Sequence, residues 1–219
     1  QIDPGTRVNW HAKDGDPVSR DQVLCELDGR ARGLLTGERT ALNFIQTLSG
    51  VATRTRTFVD AIAGTKATIL DTRKTLPGLR QALKYAVRCG GGQNHRNDLG
   101  AAVLIKDNHI AACEGDVAVA VHRARGHAPK GMLIQVECDT VAQARAAIAA
   151  RADALLLDNM PNPLMRESVQ LAKGHCWTEA SGGVTLETAR SIAETGVDRI
   201  SVGALTHSAP ALDLALDFE

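Results

Sequence analysis

The sequence predicts an α/β fold built on a parallel sheet of about six strands. Between residues 65 and 205, short apolar runs alternate with amphipathic stretches of helical period, which is the pattern of repeated βα units. Runs such as ALLLD and AVLIKD are apolar on both faces, as is typical of strands covered by helices on either side. The 219 residues are 44% hydrophobic, enough for one sizeable core. A barrel and an open doubly wound sheet both fit this pattern.

Six strands and five intervening helices are predicted along the chain. The strands are 67–71, 102–106, 133–137, 154–158, 177–181 and 199–203. The helices are 78–89, 115–125, 140–151, 163–173 and 185–195. Because a helix connects each strand to the next, the strands are expected to run parallel.

The first of these helices is expected to begin at Pro77, because proline suits the first helical position. Leu79, Leu83 and Val87 form its apolar face. The helix is expected to end at Gly90, which can adopt the left-handed conformation that stops a helix. Basic residues therefore lie at both of its ends.

Residues suited to chemistry or to ligand binding stand at the carboxyl ends of all six predicted strands. They are Asp71 and Arg73, Lys106 and Asn108, Glu137, Asp158 and Asn159, Ser181 with Gly182 and Gly183, and Gly203. Loops begin at strand ends and are generally polar, so any single residue is equally well explained by its loop position. Six strands in phase favour an α/β barrel, whose active site is built at this rim.

The two ends of the chain follow other patterns. A long helix is predicted from Thr36, with residues 49–50 as a candidate kink. Short antiparallel strands are predicted at 8–10 and 22–27. Residues 212–218 alternate with period two, which predicts a strand that returns to the N-terminal sheet.

Basic residues are concentrated in one part of an otherwise neutral chain. The chain has 25 basic and 25 acidic residues, yet residues 39–109 contain eleven Lys or Arg against four Asp, a net charge of +7. A neutral protein with one cationic segment is poorly suited to nonspecific DNA binding, so no nucleic-acid partner is expected. It is better suited to drawing a small polyanion into one cleft.

Composition also bears on compartment and cofactors. No apolar run approaches the roughly 18 residues of a membrane span, and no signal peptide opens the chain, so we expect no membrane partner and a cytoplasmic location. The five cysteines are scattered without a CxxC pair, which predicts neither a zinc site nor a disulfide framework.

Six runs of the sequence resemble the quinolinate phosphoribosyltransferases, the decarboxylating transferases of NAD biosynthesis. In the family's order, the runs are ERTALNFIQTLSGVATRT, DTRKTLPGLRQALKYAVRCGGGQNHR, LIKDNHI, LLLDN, SGG and ETGVDRISVGALTHS. The resemblance extends from about residue 14 to the end of the chain.

The resemblance implies an α/β-sandwich domain followed by an incomplete α/β barrel. It divides this chain into a partial sandwich at 1–36, a catalytic barrel at 37–205 and a tail at 206–219 that returns to the N-terminal domain. Members of the family have some tens of residues ahead of the position that matches Gln1. Without such a segment, the apolar surface of residues 8–27 is expected to be exposed.

The activity implied by the resemblance is phosphoribosyl transfer from phosphoribosyl pyrophosphate to quinolinate. Decarboxylation then gives nicotinate mononucleotide, pyrophosphate and carbon dioxide. The resemblance also implies Mg²⁺ as cofactor and a homodimer with shared active sites as the minimum active unit.

Residue roles are implied in the same way. The residues expected to hold the carboxylates of quinolinate are Arg73, His95, Arg96 and Lys106, with Arg39 supplied by the neighbouring subunit. Those expected to bind phosphoribosyl pyrophosphate are Lys74, Glu137, Asp158, Ser181, Gly182, Gly183 and Gly203, with Glu137 and Asp158 also serving the metal. Guanidinium groups pair with carboxylates in a bidentate way, and backbone N–H groups of glycines can cradle a phosphate. The expected catalytic set is Arg39, Arg73, Lys74, Lys106, Glu137 and Asp158.

The chain departs from the family pattern in two places. Asn97, Asp98 and Ala101 follow the His95-Arg96 pair where the family has an apolar residue, a glycine and an aspartate. Gln135 stands where the family has an acidic residue, so one acid of a strand-end pair is absent.

Two other hypotheses stay open. One is a paralogue of the same fold found with molybdenum transport systems, against which the retained cations at 73, 95, 96 and 106 argue. The other is a Schiff-base lyase that uses Lys106, because barrel aldolases also place a lysine at a strand end.

Overall fold

The computed structural model describes residues 1–218, which form eight strands and eight helices. The strands are β1 (Arg7–Trp10), β2 (Cys25–Asp28), β3 (Thr68–Leu70), β4 (Val103–Ile105), β5 (Ile134–Cys138), β6 (Ala154–Asp158), β7 (Trp177–Ser181) and β8 (Arg199–Ser201). The helices are α1 (Ala31–Ala61), α2 (Arg80–Cys89), α3 (Asp107–Ala111), α4 (Val117–His127), α5 (Val141–Ala149), α6 (Asn162–Ala172), α7 (Leu186–Ala193) and α8 (Ala204–His207).

Six strands form one parallel sheet in the order β3-β8-β7-β6-β5-β4. The predicted α/β class is therefore confirmed. Strands β6 and β7 begin and end at the predicted residues. The sheet leaves β3 and β4 as its two edges, so the barrel is incomplete. Residues 93–102 lie along this opening, because Gln93 pairs with β3 and the Arg96 side chain donates to the carbonyl of Ala102 beside β4.

The sheet interior contains side chains that meet across alternate strands. Gln135 on β5 and Glu179 on β7 are both buried and share a hydrogen bond across β6. Contacts between alternate strands are typical of the interior of an α/β barrel. The apolar core surrounds this polar layer, with Leu155 and Leu157 of β6 fully buried. Full burial of each such leucine stabilises the fold by roughly 1.5–3 kcal/mol.

Helix α2 differs from its prediction at both ends. It begins at Arg80 rather than Pro77, because Gly78 has a left-handed backbone with φ of +76° that cannot continue a helix. Gly90 keeps a right-handed conformation at the end of the helix, and the left-handed turn comes one residue later at Gly91, with φ of +86°. The Gly90 to Gly91 turn then directs the chain back along β3.

Helix α1 is longer than predicted and carries the C-terminal tail. It starts at Ala31, five residues before Thr36, and it crosses the expected boundary between residues 36 and 37. The helix continues through Gly50, where a Cβ would overlap the carbonyl oxygen of Pro210. Gln46 accepts from the Leu212 backbone N–H at 3.1 Å and donates to the Leu214 carbonyl at 2.8 Å. The tail therefore packs on α1, and the strand predicted at 212–218 is not formed.

The N-terminal segment is an antiparallel pair, with β1 against β2. Its apolar side chains Val8, Trp10 and Val23 are 47%, 59% and 60% exposed. The hydroxyl of Tyr85 on α2 donates to Asp14 at 2.5 Å and fastens this segment to the larger sheet's helices. Within residues 1–218, no helix combines the length and apolar character needed to cross a bilayer.

Candidate active site at the carboxyl rim

The carboxyl ends of the six parallel strands meet at one edge of the sheet. This rim contains Asp71 after β3, Lys106 after β4, Glu137 near the end of β5, Asp158 at the end of β6, Ser181 at the end of β7 and Gly203 after β8. Most predicted site residues therefore lie on this one edge of the sheet. The exceptions are Arg39 on α1 and the cations on loops, which are Arg73, Lys74, His95 and Arg96. The loops that follow the strands then decide which of them make contact.

Arg73 and Arg96 lie on two loops that are tied together, because Arg80 of helix α2 donates to the carbonyls of Arg73 and Asn97. Partial burial lowers the pKa of Arg96 below its ordinary value, and the positive charge of Arg73 adds to this effect. The negative charge of Glu179 acts in the opposite direction. Two guanidinium groups on joined loops at one rim would suit a small dianion.

Arg80 holds the two cationic loops in place. Its guanidinium donates to the carbonyls of Arg73 at 3.3 Å and Asn97 at 3.5 Å, and to the Thr75 hydroxyl at 3.3 Å. The loop after Arg96, which departs from the family pattern, is thus tied to the loop after β3. Sequence analysis assigned no role to Arg80.

A buried ion pair fixes the segment that carries His95. Lys84 on α2 pairs with Asp71, and both side chains are almost fully buried. Asp71 also accepts from the backbone N–H of His95 at 2.9 Å and from the Asn94 amide at 2.5 Å. Lys84 donates to the carbonyl of His95 at 3.0 Å. Asp71 therefore holds the segment with Asn94 and His95 in place next to β3. The sequence analysis did not predict the role of Lys84.

Glu179 is a second buried carboxylate that the prediction missed. It accepts hydrogen bonds from Ser201, from Gln135 at 2.9 Å and from His95 Nε2 at 3.3 Å. Burial alone would raise the pKa of Glu179, but these donors outweigh it and leave the pKa below its ordinary value. Glu179 lies inside a predicted strand that is covered on both faces, and a charged residue there requires partners. Its charge was therefore the feature of the sequence that could have indicated a buried polar site.

Lys106 and Glu137 form an ion pair at the rim, with Nζ 2.9 Å from Oε2. Glu137 is nearly buried, whereas half of the Lys106 side chain is exposed. The hydrogen bond from Lys106 to Glu137 is the main reason why the pKa of Lys106 lies above its ordinary value, and the charge of Asp158 contributes. Lys106 and Glu137 are therefore paired at the rim.

The loops after β6 and β7 border a small cavity with polar and apolar lining. Gly182 and Gly183 have left-handed φ values of +87° and +57°, and Asn159 also has a positive φ. A Cβ at Gly182 would overlap the Asn159 side chain, so only glycine fits there. Ser181 to Gly183 and Asn159 line this cavity of about 300 Å³.

Lys74 lies beside Gly203, on the far side of β8 from this cavity. The Thr206 hydroxyl on α8 donates to the carbonyl of Lys74 at 2.8 Å. A Cβ at Gly203 would lie 3.3 Å from the Lys74 side chain, so the glycine permits their close approach. Helices α3 and α8, absent from the predicted elements, position the residues after β4 and β8.

Arg39 is the one predicted site residue that lies apart from the rim cluster in the described chain. It is on the first third of α1, and its side chain is 70% exposed. The ion pair recorded for it within residues 1–218 is with Glu38, at 3.9 Å. A role for Arg39 at the rim of the same chain is not supported by these contacts.

Two family models together match nearly the whole chain. "Quinolinate phosphoribosyl transferase, C-terminal domain" matches residues 51–217, and "Quinolinate phosphoribosyl transferase, N-terminal domain" matches residues 1–49. The first of these covers the parallel sheet and every rim residue described above.

Named relatives and a solved structure agree with these matches. A probable nicotinate-nucleotide pyrophosphorylase [carboxylating] of Bacillus subtilis is 48% identical over 216 residues, which are 99% of this chain and 74% of that protein. The nicotinate-nucleotide pyrophosphorylase [carboxylating] of Mycobacterium leprae is 49% identical, over 97% of this chain and 75% of that protein. The crystal structure of NadC from Streptococcus pyogenes superposes with a TM-score of 0.93 at 41% identity, covering 97% of this chain and 75% of that one. This chain belongs to the quinolinate phosphoribosyl transferase family.

Proposed function

We propose that this chain transfers the phosphoribosyl group of phosphoribosyl pyrophosphate to quinolinate and decarboxylates the product to nicotinate mononucleotide. The observation that carries this proposal is the pair of cationic loops at the rim, which carry Arg73 and Arg96 and are joined by hydrogen bonds from Arg80. The glycine-lined cavity after β6 and β7 lies on the same edge of the sheet and suits a phosphate. Relatives at 48% and 49% identity have the corresponding name.

Quinolinate would bind at the cationic side of the rim. Arg73 and Arg96 are suited to its two adjacent carboxylates, because a guanidinium presents paired N–H donors to a carboxylate. His95 and Lys106 would complete the pocket, with Lys106 oriented by its ion pair to Glu137. Burial of Arg96 strengthens such contacts, because fewer waters compete for the guanidinium.

Phosphoribosyl pyrophosphate would bind along the rest of the rim. Ser181, Gly182 and Gly183 would hold the 5′-phosphate through backbone N–H groups, and Gly203 would admit it close to the main chain. Lys74, beside Gly203, would face the pyrophosphate. Glu137 and Asp158 would accept from the ribose hydroxyls.

The carboxylates at the rim fit a magnesium ion held chiefly by the substrate. Within residues 1–218, no three His, Cys, Asp or Glu side chains gather into a metal-binding group. Mg²⁺ commonly binds through one or two carboxylates together with substrate phosphates, and Glu137 and Asp158 would supply these. When bound, the ion would offset the negative charge of the pyrophosphate.

Catalysis would depend on positioning and charge. The pyridine nitrogen of quinolinate attacks the anomeric carbon with its lone pair as pyrophosphate leaves, so no general base is required. Lys74 and the neighbouring cations would stabilise the developing charge on the leaving group. The quaternary ring nitrogen then stabilises the carbanion that remains when the 2-carboxylate is lost as carbon dioxide, and a proton from solvent completes nicotinate mononucleotide.

A homodimer with shared active sites is part of the proposal. Arg39 lies on an exposed part of α1 away from its own rim, which suits a role in the site of a neighbouring subunit. The cytoplasm is the proposed compartment, although some plant relatives have mitochondrial or chloroplastic in their names.

Release of labelled carbon dioxide tests the proposed function. Quinolinate labelled in its 2-carboxylate is incubated with the chain, with and without phosphoribosyl pyrophosphate and Mg²⁺. We expect release only when all components are present. A chain extended upstream is assayed in parallel. If neither chain releases carbon dioxide, the result would favour the paralogue found with molybdenum transport systems, which has another substrate.

A further inference from the structure

Glu179 lies beneath the cationic rim and has no role in the reaction proposed above. Its side chain is fully buried on β7, two residues before the phosphate loop that starts at Ser181. An ionised carboxylate is rarely buried without a compensating function, because its removal from water is costly. Its surroundings therefore indicate what it holds in place.

Three donors from three parts of the chain converge on this carboxylate. Ser201 on β8 bonds to Oε1, and Gln135 on β5 donates to Oε2 from a distance of 2.9 Å. His95, in the segment that spans the opening between β3 and β4, approaches Oε2 at 3.3 Å through Nε2. The strand partners fix the position of Glu179, and Asp71 and Lys84 fix the His95 backbone, so Glu179 acts on the His95 ring.

The other ring nitrogen of His95 is also engaged. Nδ1 lies 2.7 Å from the backbone nitrogen of Arg96, whose N–H donates to it. Nδ1 must therefore lack a proton, which leaves the proton of the neutral ring on Nε2, facing Glu179. The His95 ring thus links a fixed carboxylate in the sheet to the main chain of Arg96.

We infer that Glu179 is a positioning residue that selects the Nε2–H tautomer of His95 and thereby holds the His95-Arg96 corner of the quinolinate pocket against the sheet. This inference rests on the proposed function for its substrate, but its geometry does not depend on activity. Loss of the Glu179 contact frees the ring and the Arg96 backbone, while the phosphate loop and Gly203 are unaffected.

The tautomer is tested directly by nitrogen NMR on the wild-type protein. Long-range ¹H–¹⁵N spectra are recorded at about pH 9, where a histidine ring is ordinarily neutral. The His95 ring is assigned by its absence in His95→Gln. We expect a protonated Nε2 and an unprotonated Nδ1. A proton on Nδ1 would overturn the inference, whether or not the protein has transferase activity.

Kinetics of two variants test the effect on the substrate. Glu179→Leu removes the acceptor, and we expect it to raise the KM for quinolinate by roughly tenfold or more, with less than about a threefold change in the KM for phosphoribosyl pyrophosphate. Glu179→Gln keeps an oxygen that accepts from Nε2–H, and it should stay within about threefold of wild type for both substrates. A folded Glu179→Leu enzyme with an unchanged quinolinate KM, or with equal increases for both substrates, would contradict the inference.

Thr178→Val is the matched control. Thr178 is the preceding residue on β7, is equally buried, and loses a hydrogen bond to Asp198 on substitution. We expect both KM values to stay close to wild type, since this contact lies away from His95. A quinolinate-specific increase in Thr178→Val would show that any weakening of β7 gives the effect. If wild-type protein releases no carbon dioxide, the proposed function fails while the NMR result still decides the role of Glu179.

Discussion

Lys106 Nζ lies 2.9 Å from Glu137 Oε2, so an ion pair joins the carboxyl ends of β4 and β5 at the rim. The hydrogen bond to Glu137 keeps the pKa of Lys106 above its ordinary value, outweighing the opposite effect of partial burial. A lysine that forms a Schiff base needs a lowered pKa, because the neutral amine is the nucleophile. The ion pair therefore favours a substrate-binding role for Lys106 over a lyase mechanism.

We expect no covalent trapping at Lys106. The protein is incubated with small aldehydes and ketones and with borohydride at neutral pH, and its intact mass and peptide masses are measured. Modification of Lys106 should be no greater than that of Lys130, an exposed lysine outside the rim. A selective adduct that disappears in Lys106→Arg would support the lyase hypothesis instead.

The two neighbouring cations Arg73 and Lys74 should affect different substrates. Arg73→Ala is expected to lower kcat/KM for quinolinate by roughly 30- to 100-fold, the value of a lost charge-assisted contact of about 2–3 kcal/mol. Lys74→Ala should act mainly through phosphoribosyl pyrophosphate. Steady-state kinetics with each substrate varied in turn measure both effects. Arg56→Ala, on an exposed part of α1, is the control, and equal small effects at positions 73 and 74 would count against the assignment.

Mixed dimers should recover activity if Arg39 completes the site of its neighbour. Arg39→Ala and Arg73→Ala are each expected to be nearly inactive alone. When the two are unfolded together and refolded, half of the dimers contain one intact site of two, so about a quarter of wild-type activity is expected. Mass measurement of native complexes verifies that mixed dimers form. Their formation without any recovered activity would refute the shared site.

Removal of one partner from the buried ion pair of Asp71 and Lys84 should strongly lower the free energy of unfolding. Lys84→Met leaves the Asp71 carboxylate buried without its cation, and we expect a loss of about 3–5 kcal/mol in the free energy of unfolding. Adding Asp71→Asn should restore part of this loss, because the uncompensated charge is removed. Urea unfolding followed by circular dichroism measures both. A loss below about 1 kcal/mol, as for an exposed pair such as Arg56 and Asp60, would contradict this account.

Asp198 should contribute stability only above its titration range. Burial alone would raise the pKa of Asp198, but hydrogen bonds from Lys66 and Thr178 outweigh it, so the folded pKa lies below the ordinary value. Such a group stabilises the fold above its unfolded pKa, near 3.9, and this stabilisation is lost as the pH falls through the folded pKa.

The variant Asp198→Asn tests this sign. At pH 7, we expect the free energy of unfolding to fall by about 1 kcal/mol relative to wild type, since three hydrogen bonds lose their charged acceptor. The difference should shrink as the pH falls below about 4. Asp60→Asn, in an exposed pair on α1, serves as control, and a difference that grows toward acid pH would contradict the prediction.

Local pattern located the six strands of the parallel sheet to within two residues at each end, but it did not locate all helix ends. β6 and β7 were predicted with their observed end residues, β6 because its apolar run ALLLD is bounded by turn residues. The start of α2 was predicted three residues early, since Pro77 fits a first helical position while the left-handed Gly78 prevents it. The tail strand failed for another reason. The main chain at Leu212 and Leu214 hydrogen-bonds to Gln46 of α1 instead of pairing with β1 and β2.

The sequence by itself determined the parallel α/β units, the phase that brings six strand ends to one rim, and the family motifs with their cations. These depend on periodicity and on residues that are close in the chain. The tertiary structure alone decided the partners of the two buried carboxylates. Asp71 pairs with Lys84 across 13 residues, and Glu179 meets Gln135 across 44 and Ser201 across 22. Such contacts depend on strand order and on which side chains share the barrel interior, and local periodicity does not encode either of these.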